Sequence, residues 1–415
     1  MKMIQIVAVI FLVMCLYCSR DFGSQPAHAS FDDLTAAEAN VLESSDRFGF
    51  ALFQKLAETE SEKNLFLSPL SVSMAMAMAY NGAENQTAAE LKNTLGYEGF
   101  SQKELNQAYK LLAEKLLDSD PLVRFEIANS IWYRQDFKVK EAFLNLNRTY
   151  FDAMVKALDF GSSDALPTIN GWVENKTHGK IAKIIDRIDP FAVMFLINAI
   201  YFKGDWTYAF NEENTRDDTF FAPDQEYPCK MMKQKNEFRY GENEKVQLVE
   251  LPYGNGQFAM TVVLPNPEYD LSGIVAGLTL DTLQSWSNSM SEQSGTVLLP
   301  QFKIEYEKDL NDVLQALGIE DAFKADRADF SAISDANDLY IDKVKHKSYV
   351  RVDEQGTEAA AVTSVEFRVT SVPAEKEFYI KSDRPFLFFI QAKSTGSLLF
   401  MGTVYVPESD ESSGE

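Results

Sequence analysis

Residues 353–371 read Asp-Glu-Gln-Gly-Thr-Glu-Ala-Ala-Ala-Val-Thr-Ser-Val-Glu-Phe-Arg-Val-Thr-Ser. At period two, one face carries Thr357, Ala359, Ala361, Thr363, Val365 and Phe367, small or apolar throughout. The other face carries Glu358, Ala360, Val362, Ser364, Glu366 and Arg368 and is largely polar. This is the alternation of a strand with one buried and one wetted face. Gly356 and the alanine run that follows are nevertheless poor strand formers. A segment patterned for a sheet, yet weakly committed to it, implies a loop that can insert.

Four ordered motifs surround that segment. Val350-Arg351-Val352-Asp353-Glu354-Gln355-Gly356-Thr357-Glu358-Ala359-Ala360-Ala361 resembles the proximal hinge of a serpin. Asn64-Leu65-Phe66-Leu67-Ser68-Pro69-Leu70-Ser71, followed by Ala75, Ala79, Gly82 and Ala83, resembles the serpin segment leading into helix B. Leu196-Ile197-Asn198-Ala199-Ile200-Tyr201-Phe202-Lys203-Gly204-Asp205-Trp206 resembles the family's central-sheet strand. Arg384-Pro385-Phe386-Leu387-Phe388-Phe389-Ile390, with Thr395-Gly396 and Leu399-Phe400-Met401-Gly402, is similar to its last strands. The resemblance implies an α+β fold with a large central mixed sheet and an exposed reactive-centre loop over about residues 354–375.

Composition is compatible with this but does not name it. The chain has 415 residues, 46% apolar and 24% charged, and length alone suggests two or three domains. The resemblance implies one domain over residues 30–407 instead. A net charge of −23 argues against a nucleic-acid partner. A heparin-type cofactor is not expected either, since residues 102–117 offer Lys103, Lys110 and Lys115 interspersed with Glu104 and Glu114. The tail 408–415 is acidic and serine-rich and reads as disordered.

The first residues read as a targeting segment. Lys2 precedes an apolar run from Ile4 to Tyr17, too short to span a bilayer but suited to a signal-peptide core. Ala27-His28-Ala29 fits a small-x-small cleavage site, which makes residues 1–29 a removed signal and the protein extracellular. Leu16-Tyr17-Cys18-Ser19 offers the alternative of a membrane-anchored lipoprotein attached through Cys18. Cys15 and Cys18 fall in this region, so Cys229 stands alone in the mature chain as a structural residue. The sequons at Asn85, Asn147 and Asn175 matter only in a eukaryotic secretory pathway.

Elsewhere the periodicity is coarse. Helical spacing covers residues 37–60, 70–83 and 102–118. Strand-like runs occur at 125–133, 192–203, 247–252, 258–264, 297–304 and through 378–406. Catalysis by a serine nucleophile needs a histidine within reach of it, and the chain has only His28, His178 and His346. No Gly-x-Ser-x-Gly elbow, phosphate loop, His-Glu-x-x-His motif or paired-cysteine metal site occurs. Neither an enzyme nor a cofactor is expected.

The resemblance implies a suicide inhibitor that works as a monomer and ends in a covalent acyl complex with a serine protease. The loop is cleaved, and its N-terminal part enters the central sheet as a new strand. About a dozen added ladder residues, at roughly 0.5–1.5 kcal/mol per net hydrogen bond, favour insertion by on the order of 10 kcal/mol. Gly356 gives the hinge freedom to bend. Thr357 is small and uncharged where the first side chain enters, and Ala359 and Ala361 follow without bulk. Gln301 stands where many serpins carry a lysine that pairs with the hinge glutamate, so Glu354 is expected to lack that partner.

Fourteen residues after the hinge glycine lies Thr370-Ser371, the implied scissile bond, which suits a small-pocket, elastase-like protease. Arg368-Val369 is the rival bond for a trypsin-like enzyme, and Phe367 for a chymotrypsin-like one. A binding serpin with no inhibitory step is the remaining alternative. Ser68, Ser71, Asn198 and His346 match the family's shutter beneath the sheet, and Trp206 matches the tryptophan at the top where insertion begins.

Overall fold

Thr35 starts the first helix with a capping box: its hydroxyl accepts from Glu38 N, while the Glu38 carboxylate accepts from Thr35 N at 2.7 Å. The computed structural model describes residues 34–336, 339–357 and 377–408. In chain order, the first part runs α1 (Ala36–Thr59), β1 (Leu65–Leu67), α2 (Pro69–Tyr80), α3 (Asn85–Thr94), α4 (Gln102–Leu117), β2 (Val123–Arg134), α5 (Glu141–Phe151), β3 (Met154–Leu158), α6 (Ala165–Lys176) and β4 (Met194–Asp205). Four strands follow, β5 (Arg216–Phe221), β6 (Glu226–Glu242), β7 (Val246–Tyr253) and β8 (Phe258–Pro265), and then α7 (Leu271–Ala276) and α8 (Leu280–Ser289). The last part comprises β9 (Ser291–Pro300), β10 (Phe302–Asp309), α9 (Asn311–Ala316), β11 (Lys345–Val352), β12 (Gly356–Thr357), β13 (Phe378–Lys381), β14 (Phe386–Ala392) and β15 (Leu398–Val404).

Two sheets organise these elements. One has the strand order β10-β11-β12-β4-β2-β3; the other runs β1-β15-β14-β8-β7-β6-β9-β13, with β5 on β6. Both are mixed, since β2 pairs β3 and β9 pairs β13 in parallel within otherwise antiparallel ladders. Their inner faces share one core, in which Phe66 stacks on Phe388 and Phe400, and Phe302 packs against Phe386 and Phe388. The outer face of the first sheet carries a second cluster, where Trp132 and Ile197 meet Ile169 and Val173 of α6.

Small residues let α2 run through that core. Ser68 caps it, Pro69 takes the first turn, and its Ala and Met side chains are almost all buried. Helix α1 crosses close by: a Cβ on Gly49 would lie 2.4 Å from Pro69 Cβ.

The α+β expectation agrees with this architecture, but three details differ. Residues 297–304 read as one strand and are two, because the chain passes at Gln301 from a ladder with β6 to a ladder with β11. Pro300 cannot donate to a continuing ladder, and apolar alternation carries no mark of a change of sheet. Glu408 belongs to the folded part, its carbonyl accepting from Lys303 N at 2.8 Å. Asn147 is fully buried, with its amide donating to Phe143 O, so that sequon cannot accept a glycan. Residues 1–29 and 409–415 lie outside the described residues.

A buried carboxyl makes α1 sensitive to pH. Asp46 is buried, accepts from Leu398 N, and has one carboxylate oxygen with no hydrogen-bond partner. Burial holds its carboxyl well above the usual range. The folded state therefore keeps a proton that the unfolded chain releases, and stability falls as the pH rises through the folded value. Asp46→Asn keeps the acceptor and removes the titration. The thermal midpoint of the variant should fall less between pH 5 and pH 8 than that of the parent; parallel profiles would show that Asp46 is not the source.

Candidate functional site

Strands β11 and β4 are joined at their upper ends by the two residues of β12. Thr357 pairs with Val352 on one side and with Gly204 on the other, and Gly356 pairs with Asp205. Both ladders are antiparallel, so the chain climbs β11, turns over residues 353–355, and starts down between two strands that run parallel to each other. Neighbouring strands lie about 4.8 Å apart, so this leaves the tops of β11 and β4 about 10 Å from one another. Gly356 is required there: at φ +154° a Cβ would sit 2.2 Å from Gly204 O and 2.7 Å from Asp205 Cα. The sequence argument assigned this glycine freedom to bend; the structure adds that no side chain fits.

Every carbonyl of the turn is held. Trp206 N donates to Gln355 O at 2.7 Å, and the Trp206 indole donates to Asp353 O at 3.0 Å. Phe210 N donates to Glu354 O at 2.9 Å, and Asp353 N donates to Gly356 O at 3.0 Å. The indole in turn stacks on Tyr253, with ring centroids 4.4 Å apart at 13°. Tyr253 OH and Thr357 Oγ1 share a hydrogen bond of 2.6 Å, and Thr357 is only 2% exposed. The first side chain of the predicted inward face thus sits in the core, tied to the opposite sheet.

Glu354 is 7% exposed and does have partners. Gln301 Nε2 donates to both of its carboxylate oxygens at 2.8 Å, and Thr215 Oγ1 donates at 2.6 Å. The expectation of an unpartnered glutamate is therefore corrected: an amide takes the place of the ammonium. Asp353 beside it has its carboxyl raised by burial, against the backbone amide of Gln355 and the charge of Arg351.

Below this point the residues matched to the shutter divide. Ser71 Oγ donates to Asn198 Oδ1, Asn198 Nδ2 to Asn129 Oδ1 at 2.7 Å, and Asn129 Nδ2 to Phe151 O at 2.7 Å. Ser68 is turned to a different task, its hydroxyl accepting from Ser71 N as the cap of α2. His346 stands on β11 facing the core, and its Nε2 is buried without a hydrogen-bond partner among the described residues. Burial pushes this imidazole down to about 4, against a backbone hydrogen bond to Phe66 that raises it. No polar bridge from His346 to Ser71 or Asn198 is recorded among the described residues.

The hinge residues Glu358, Ala359, Ala360 and Ala361 lie outside the described residues, as do both candidate bonds, Thr370-Ser371 and Arg368-Val369. Tyr253, Thr215 and Phe210 were missed by the sequence argument. Tyr253 leads into the turn Gly254-Asn255-Gly256, and turn composition says nothing of what the ring faces across the sheet. Cys229 is buried, with its thiol pushed up to about 11 by burial and then by Asp218, as suits a structural residue. Among the described residues no cluster of acidic, histidine or cysteine side chains could hold a metal ion, and no helix is long and apolar enough to cross a membrane.

Comparison with known proteins agrees with this geometry. The family model described as serpin, serine protease inhibitor, matches residues 43–407. Human leukocyte elastase inhibitor is 35% identical over 374 residues, 87% of this chain and 98% of that protein. The solved native state of tengpin, a thermophilic serpin, superposes with a TM-score of 0.80 at 33% identity, covering 88% of this chain and 94% of its own. Human thyroxine-binding globulin superposes with a TM-score of 0.82 at 28% identity, covering 90% of this chain and all (100%) of that one. The chain belongs to the serpin family of serine protease inhibitors.

Proposed function

We propose that the chain is an extracytoplasmic suicide inhibitor of a serine protease, cleaved at Thr370-Ser371. The observation that carries this reading is β12: the hinge is already paired on both sides, and Thr357 is already seated in the core. Continued in that register, the loop would run down both strands in step. Six residues beyond Thr357, Thr363 would then meet Asn198, six before Gly204, and His346, six before Val352. Its hydroxyl would then lie between Asn198 and the buried Nε2 of His346, which has no hydrogen-bond partner among the described residues. Ala359, Ala361, Val365 and Phe367 fall on the same inward face, so insertion buries small and apolar groups and keeps Glu358, Glu366 and Arg368 out.

The chemistry then has one covalent step. The protease serine attacks the Thr370 carbonyl, Ser371 leaves as the free amine, and an ester links the protease to Thr370. Insertion carries that ester the length of the new strand. Thirteen residues at about 3.3 Å each displace the protease by about 43 Å before water can hydrolyse the ester. On the order of 10 kcal/mol of new ladder drives the step.

Thr370 suits a small-pocket protease, and the elastase named in the human relative is of that class. Arg368 would direct a trypsin-like protease to the rival bond, shortening the strand by two residues. The amino-terminal apolar run supports export, with Ala29 or Cys18 as the processing point. A helper polyanion is not needed in this reading: on α4, Lys115 is taken by Glu38 at 2.9 Å, and Lys103 and Lys110 remain among acids. A carrier reading would use a binding cavity. The hollow of about 330 Å³ between α1, α7 and β15 is lined by Glu58, Glu60 and Glu62, and Glu60 is engaged by Tyr306 and Lys308.

Incubation with pancreatic elastase and, separately, with trypsin tests the reading. A complex stable in denaturing gel with elastase, and a released peptide beginning at Ser371, is expected; clean cleavage without complex or gain of heat stability contradicts it. Thr357→Arg should turn the inhibitor into a substrate, because the guanidinium cannot enter a seat 2% exposed. At least about tenfold more inhibitor should be cleaved per complex formed, each tenfold equalling about 1.4 kcal/mol of partition; an unchanged ratio refutes the assigned seat. His346 gives the third test. Its folded value of about 4 lies below the unfolded 6.5, so native stability is full above pH 6.5 and is lost as pH falls toward 4. The difference amounts to about 3 kcal/mol, and His346→Gln should flatten the acid limb of thermal unfolding.

A further inference from the structure

Below its last rungs the first sheet presents a rigid turn with an aromatic ring on it. Strand β4 starts at Met194 and β11 at Lys345, both at the end of the sheet opposite β12. Immediately before β4, Arg134 N donates to Val193 O at 2.9 Å, which closes the ladder toward β2. The turn lies just ahead of that rung: Ala192 N donates to Asp189 O at 3.0 Å, and Phe191 N donates to Asp189 Oδ1 at 2.8 Å. Pro190, at the second position of the turn, fixes its own φ. Phe191 is 88% exposed, more than any other large apolar side chain among the described residues.

A lone exposed apolar side chain is ordinary on a protein surface. This one is set apart by its level in the sheet. Thr357 pairs with Gly204, so in the same register Phe367 would face Met194, and Thr370 would come level with Phe191. Phe367 would thus take the last rung on β4, and three residues of chain, about 10 Å, would lead from it to the ester at Thr370. A protease of about 200 residues has a radius of gyration of about 16 Å. A tether shorter than that radius cannot let the enzyme hang free, so its face around the catalytic serine would be pressed against the end of the sheet.

We infer that Phe191 is a contact residue for the trapped protease, an apolar wedge that holds the enzyme in its pressed position and so prolongs the acyl complex. The inference rests on the insertion reading above. Before cleavage the ring lies open to water, so nearly all of its apolar surface is available for burial against the enzyme. The turn is already ordered by Asp189 and Pro190, so little conformational freedom is lost when it is covered. Decay of the complex is hydrolysis: water adds to the Thr370 carbonyl, the protease serine leaves with its hydroxyl restored, and Thr370 ends as a free carboxylate. That step needs the protease active site in its ordered form, which the enzyme regains by backing off from the end of the sheet. Burial of the ring opposes that retreat.

The test follows the complex of the full-length protein with pancreatic elastase, freed of excess enzyme, by the return of elastase activity and the loss of the gel-stable band. Phe191→Ala removes the ring from an exposed position, so folding and the rate of complex formation should match the parent. Its complex should decay at least about tenfold faster, a change equal to about 1.4 kcal/mol. Phe191→Leu keeps an apolar group on the same turn and should restore slow decay. Tyr379→Ala removes a ring of 57% exposure from β13, beside the loop's carboxyl-terminal attachment, and should leave decay unchanged. Equal decay of the Phe191→Ala and parent complexes overturns the assignment, and so does equally fast decay of the Tyr379→Ala complex. A parent that elastase cleaves without forming a stable complex overturns the trapping reading itself.

Discussion

The structure depends on a strand pairing that has begun and stopped. Gly356 and Thr357 occupy the space between β11 and β4, a space that only a backbone without a Cβ can enter at its first position. Everything around the hinge either defines that space or fixes the turn above it. Trp206 takes two carbonyls of the turn and stacks on Tyr253, and Tyr253 binds the hydroxyl of the first inserted residue. The tryptophan and the tyrosine thus connect the turn to the seat, so a shift at one is felt at the other.

The same feature explains the mixture of polar and apolar groups under the sheet. Under the proposed insertion, the sheet accepts another strand and so cannot close its centre with apolar side chains alone, since the new rungs need alignment as well as room. Asn129, Asn198 and Ser71 form a bonded chain on the β2–β4 side. His346, on the β11 side, is buried and held neutral by its surroundings. A buried donor or acceptor with an unmet bond costs about 1–3 kcal/mol, and that cost falls if an arriving hydroxyl satisfies it. In this view the native sheet carries part of its driving force as an unmet bond at its centre and the rest as unmade ladder.

Much of this was legible from residues alone, for identifiable reasons. Alternation along 357–367 is a local property of the chain and survives whether the segment is in the sheet or out of it. What could not be read were contacts between distant segments. Gln301 was taken to leave Glu354 alone, because sequence shows the loss of a charge but not an amide bridging both oxygens. Tyr253 carries no mark of its role in the local sequence, and its ring reaches Thr357 across 104 residues of chain. His178 stood in the sequence only as one of three histidines, and its ring contacts are with β2 and β4. Pairings of this kind are set by which sheet face each strand presents, and that follows only from the closed topology.

The most direct measurement is a crystal structure of the chain after cleavage in its loop. The expected result is a single continuous strand from Gly356 onward between β11 and β4, antiparallel to both, with Thr363 opposite Asn198 and His346. A cleaved loop lying outside the sheet, with β11 and β4 paired directly to each other, would contradict the insertion mechanism. A strand displaced by one residue, facing Glu358 inward in place of Thr357, would contradict the register that β12 assigns.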